Sequence, residues 1–107
     1  MQHLTPAQLS EWIVDDARSK PVLLDVREPW EFELCRLDDS IHIPMASVPV
    51  RMEELDSERD LVMICHHGAR SYQVASFLEQ RGFTRLYNLE SGIDGWARTV
   101  DPSMPKY

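Results

Sequence analysis

Between positions 65 and 70 the chain reads Cys-His-His-Gly-Ala-Arg, which sets a thiol, two titratable rings, a glycine and a guanidinium in one short run. A cysteine thiolate is a strong nucleophile, and it needs surroundings that favour the anion over the thiol. Gly68 lets a short loop curl without a Cβ clash, so that backbone N–H groups converge on one point, the Cys65 sulfur. Arg70 carries a planar fork of donors suited to an anionic donor at the loop mouth, and Ala69 completes the loop. His66 and His67 titrate near neutral pH beside the nucleophile. If their N–H groups face inward, their rings face outward, which suits recognition better than base chemistry. The plainer reading, a buried cysteine closing a strand, requires neither Gly68 nor Arg70.

The elements around this run decide whether its parts meet. Residues 61–64, LVMI, form a continuous apolar run of the kind found in a strand covered on both faces. The spacing after the loop predicts a helix over 70–81 with Val74, Ala75 and Leu78 inward and Gly82 closing it. Cys65 then lies at the carboxyl end of a strand, where helix N-termini point and where open α/β sheets bind ligands. VLLDV at 22–26 is a second buried strand, and it puts Asp25 and Arg27 on the same edge. There the two serve best as an ion pair supporting the loop, and Glu31 reads the same way. Upstream, Thr5, Pro6 and Gln8 punctuate a helix start, Leu4 staples to Leu9, and Leu9, Trp12, Ile13 and Ala17 follow helical spacing. Short helices at 29–34, 49–55 and 92–98 and strands at 40–43 and 85–89 complete an α/β order, which implies a parallel sheet with helices on both faces. Residues 1–107 read as one domain with a loosely held tail, DPSMPKY, at 101–107.

Composition narrows the partners. With 18 acidic and 11 basic residues the net charge is -7, which opposes nucleic acid and anionic membrane surfaces. No stretch approaches the roughly 20 apolar residues of a membrane span. Two cysteines, Cys35 and Cys65, give no disulfide framework and fit a reducing cytoplasm. Cys65, His66 and His67 are consecutive and cannot easily converge on one tetrahedral ion with Cys35 or His42, so no metal is expected. Trp12, Trp30 and Trp96 are spaced for core or rim packing. Cys35 has neither an apolar strand before it nor a glycine-bearing loop after it, and no catalytic role is assigned to it.

The run CHHGAR resembles the C-x-x-G-x-R loop of single-domain rhodaneses. The resemblance extends through LLDVREPWEFE, IHIPM and GFTRLYNLESGIDGWA. It implies a rhodanese-like three-layer α/β fold with a central parallel sheet of about five strands. It also implies sulfur transfer, without a cofactor, from thiosulfate or another sulfane donor to cyanide or a thiol through a Cys65 persulfide, with Asp25 and Arg27 as a supporting shell. One segment departs from the pattern: Cys35, Arg36 and Leu37 stand where Gly-His-Ile is frequent, and Asp39-Ser40 where Gly-Ser or Gly-Ala is usual. A different turn is expected there. Two other readings share the loop: a carrier module relaying sulfur between partner proteins, and a phosphatase or arsenate reductase. The related phosphatases place five residues between cysteine and arginine, whereas this chain has four. A shorter loop encloses a sulfur atom better than a tetrahedral phosphate.

Overall fold

A computed structural model describes residues 1–107. Five parallel strands form one sheet: β1 (Gln2–Leu4), β2 (Val22–Asp25), β3 (Ile41–His42), β4 (Leu61–Ile64) and β5 (Leu86–Leu89), in the order β1-β5-β4-β2-β3. The buried runs of β2 and β4 are adjacent at the centre, with Leu24 opposite Met63 and Asp25 opposite Ile64. Strand alternation divides each run between two cores. Leu23, Val62 and Ile64 pack with Leu9 and Trp12 of α1 (Pro6–Val14) and Ile93 of α5 (Gly92–Thr99). Leu24, Leu61, Met63 and Cys65 pack on the other face with Val48 of α3 (Val48–Arg51) and Val74, Ala75 and Leu78 of α4 (Ala69–Gln80). A strand covered on both faces has no polar side to expose, which is why these runs are unbroken. The short α2 (Pro29–Leu34) lies between β2 and β3 in the chain.

Local punctuation is realised at α1, where Thr5 accepts from the Gln8 N–H, Gln8 returns the bond to the Thr5 N–H, and Pro6 opens the first turn. This helix stops at Val14, so Ala17 lies beyond it and is exposed. The early stop follows from Asp15, which leaves the helical region and whose side chain accepts the Ala17 N–H instead. Residues 49–55 split into one turn of α3 and a 3-10 turn at Met52–Glu54. Gly82 takes φ +95° after α4, as its position requires. Asp39 takes φ +63°, so the departing segment makes a left-handed turn at a residue that tolerates one.

Two further features differ from expectation. The fifth strand is β1, hydrogen-bonded to β5 at the sheet edge; its three residues are mostly exposed and show no buried pattern. The tail lacks helix or strand, but it is anchored rather than loose. Met104 and Tyr107 pack against the α1–α5 core. The Tyr107 hydroxyl accepts from Arg27 Nη1 at 3.0 Å and donates to Glu31 Oε2 at 2.7 Å. Prolines prevented regular structure there without preventing side-chain docking.

Candidate active site

β4 ends at Ile64 and delivers Cys65 to the carboxyl edge of the sheet, 1 % exposed. The loop turns at Gly68, φ +104°, which also begins α4. The Gly68 N–H points back at Cys65 Sγ, 3.0 Å away. Ser71, fully buried in the first turn of α4, places Oγ 3.2 Å from the same sulfur. That hydroxyl is also 2.5 Å from Asn88 Oδ1, while Asn88 Nδ2 donates to the Gly68 carbonyl. Further N–H groups of the first turn lack intrahelical acceptors by construction and carry the positive end of the helix dipole.

The inward N–H groups require outward carbonyls, and α5 receives them. The Cys65 carbonyl accepts from Ile93 N–H at 2.8 Å and the His66 carbonyl from Asp94 N–H at 3.0 Å. This contact depends on Gly92, at φ +58°, where a Cβ would stand 2.4 Å from the His66 oxygen and 2.5 Å from the Cys65 oxygen. One helix N-terminus therefore holds the back of the loop while another faces its front. The sequence carries this in Gly92 and Asn88, a glycine and a buried amide beside the strand end, neither of which was assigned to the site.

Arg70 does not stand free at the mouth. Its Nη1 and Nη2 are 2.7 and 2.8 Å from the two Glu31 oxygens. The Arg70 hydrogen bonds hold the Glu31 carboxyl down to about 2. Asp25 and Arg27 form the expected buried pair, 2.8 Å apart and both 0 % exposed. Arg27 also donates to the Cys35 carbonyl at 2.5 Å and lies 3.9 Å from Cys35 Sγ, so Cys35 does have a cation beside it, one already committed to Asp25. His66 stacks on Tyr107 at 3.8 Å and meets the His67 ring at 3.9 Å with a tilt of 35°, its Nε2 buried and unpartnered. Burial, then His67, pushes the His66 imidazole below its ordinary value. His67 and Ala69 are exposed, and His67 Nδ1 is 3.9 Å from Asp94. Trp30 is exposed and meets the Tyr107 ring edge-on at 5.6 Å.

A cavity of about 450 Å³ lies elsewhere, lined by α1, Arg36–Asp39 and Trp96. It shares no residue with the cysteine loop, and size is a poor guide when the site has to admit only a few atoms.

A family model described as the rhodanese-like domain matches residues 5–99. The chain belongs to the rhodanese-like family. It is 43 % identical over 77 residues to a sulfurtransferase of Allochromatium vinosum, covering 72 % of each chain. It is 31 % identical to a thiosulfate sulfurtransferase, GlpE, of Actinobacillus pleuropneumoniae over 97 % of this chain and 94 % of that one. A rhodanese-related protein of Thermoplasma volcanium superposes with a TM-score of 0.83 at 30 % identity over 94 % of both chains. The fold, the five-stranded parallel sheet and sulfurtransferase kinship thus agree with the reading of the motif. No helix of this chain is long and apolar enough to cross a membrane.

Proposed function

We propose that this rhodanese moves a sulfane sulfur from thiosulfate or a persulfide donor to cyanide or a thiol acceptor through a persulfide on Cys65. The reading rests on the two donors aimed at one sulfur, the Gly68 N–H at 3.0 Å and the Ser71 hydroxyl at 3.2 Å. In the thiol form, Ser71 donates to Asn88 and its lone pairs face the S–H. In the thiolate form, the hydroxyl turns its proton to the sulfur, so charge on Cys65 is met without moving the backbone. Thiolate attack on the outer donor sulfur breaks the donor S–S bond, and the N–H groups of the loop and first turn receive the new terminal sulfur. The persulfide then yields that sulfur to the acceptor and the thiolate returns.

His66, His67, Ala69 and Arg70 form the rim that the donor meets, and Asp25 with Arg27 stiffens the floor. His67 is exposed at this rim and suits contact with an acceptor, small or protein-borne. No cofactor enters the cycle, and two free cysteines suit work in a reducing cytoplasm. The test is the intact mass of the protein after incubation with sulfane donors. One added sulfur atom, removed by a reductant and absent in Cys65→Ser, is the expected result. An unchanged mass with thiosulfate and with a persulfide donor alike would reject the mechanism.

A further inference from the structure

Both guanidinium groups at the ligand edge are already closed on carboxylates. Arg27 is paired with Asp25, and Arg70 spends both terminal nitrogens on Glu31. Glu31 is 3 % exposed and its oxygens are saturated by Arg70, by the Tyr107 hydroxyl and by the Glu28 N–H. Such a carboxylate is not displaced at low cost. The cation nearest the incoming donor therefore arrives with its countercharge. Arg70 lies within electrostatic reach of both Glu31 and Cys65, each of which raises its pKa, Glu31 the more. His66 is held toward neutrality, and Asp94 adds a further carboxylate beside His67.

The two donor classes load this site differently. With thiosulfate, the Cys65 thiolate attacks the outer sulfur, the S–S bond breaks and sulfite leaves; three negative charges occupy the site before and after. With an alkyl persulfide, R–S–SH, the same attack expels R–S⁻, which takes the proton from the new Cys65–S–SH. A neutral thiol departs, and a single negative charge remains on the persulfide.

We propose that Glu31 determines donor specificity: by holding Arg70 in a closed pair it turns the site away from dianionic thiosulfate and toward persulfides of low charge. This rests on the Cys65 persulfide reading above. Glu31 acts through Arg70 and is a positioning residue.

The experiment measures Cys65 loading by rapid quench and intact mass, with thiosulfate and with 2-hydroxyethyl persulfide, in the wild type and Glu31→Gln. Glutamine keeps the shape and removes the charge; its one oxygen can accept from the Glu28 N–H as Glu31 Oε1 does, while its NH2 takes the place of Oε2 and donates to the Tyr107 oxygen. In the wild type, kcat/KM for the persulfide should exceed that for thiosulfate by about tenfold or more, the scale of one unit charge acting at several ångströms near a protein surface. Glu31→Gln should raise kcat/KM for thiosulfate about tenfold, mainly through KM, and change the persulfide value less than about twofold. A fall in thiosulfate use, or equal changes with both donors, overturns the proposal. If the variant does not fold, the wild-type ratio decides, and a preference for thiosulfate overturns it. If neither donor loads wild-type Cys65, the proposed function itself fails and this inference falls with it. Loading from both donors with an unchanged ratio in the variant sinks the inference alone.

Discussion

Cys65 and Cys35 are almost equally hidden, 1 % and 8 % exposed, and they differ in what points at each sulfur. Cys65 faces a backbone N–H and a hydroxyl, both neutral donors fixed by α4. Cys35 closes α2 beside a guanidinium at 3.9 Å whose other nitrogens serve Asp25 and the Cys35 carbonyl. Burial does not separate the two thiols, and the nearness of a cation does not single out Cys65. The useful difference is a backbone N–H directed at the Cys65 sulfur, with a hydroxyl shared between that sulfur and Asn88 beside it.

The largest effect expected from this comparison is at Cys65. Cys65→Ser should abolish both sulfur loading and turnover, because a serine hydroxyl stays protonated in the same field and holds no sulfane sulfur. Sulfur loading that survives in this variant and disappears in Cys35→Ser would reverse the assignment. Next comes the cation beside Cys35. Arg27→Gln strands the fully buried Asp25 charge and should cost about 3–5 kcal/mol of stability by chemical denaturation. A stable variant with lost turnover would give Arg27 a chemical role instead.

The outward carbonyls of the loop are tested at Gly92. A Cβ there meets two backbone oxygens at 2.4 and 2.5 Å, so Gly92→Ala should cost about 3 kcal/mol and slow Cys65 loading. Gly82→Ala, also left-handed but with nothing within 4 Å of its Cβ, should cost only about 1 kcal/mol and leave loading unchanged. Equal effects on loading would break the link between α5 and the loop. Glu31 gives a pH test of similar size. Its pKa falls from an ordinary 4.5 to about 2, chiefly through Arg70. The pair's stabilisation is therefore complete above pH 4.5 and lost as pH falls through 2. Unfolding free energy should decline by roughly 3 kcal/mol across that window, and Glu31→Gln should remove this component of the slope. The smallest effect is Cys35→Ser, expected to keep turnover within about twofold and to cost about 1 kcal/mol or less. If it stops turnover while Cys65 still loads, Cys35 accepts the sulfur in a second step.

The sequence by itself determined what neighbouring residues decide together. The unbroken apolar runs of β2 and β4, the capping box of α1, the reversal at Gly82 and the loop from Cys65 to Arg70 are local patterns, each readable within a few positions. Asp25 and Arg27 were legible as a pair for the same reason, being two residues apart at a strand end. Tertiary structure alone decided what crosses the chain. β1 is too short and exposed for its pattern to announce a strand, and it becomes one by hydrogen-bonding to β5. Arg70 read as a free clamp because its partner Glu31 lies 39 residues away. Tyr107 follows two prolines in a segment with no periodicity, and only folding brings it 76 residues back to Glu31. Local pattern reports which face a residue must bury; which distant group it meets there depends on how the sheet orders its strands, and no spacing along the chain encodes that directly.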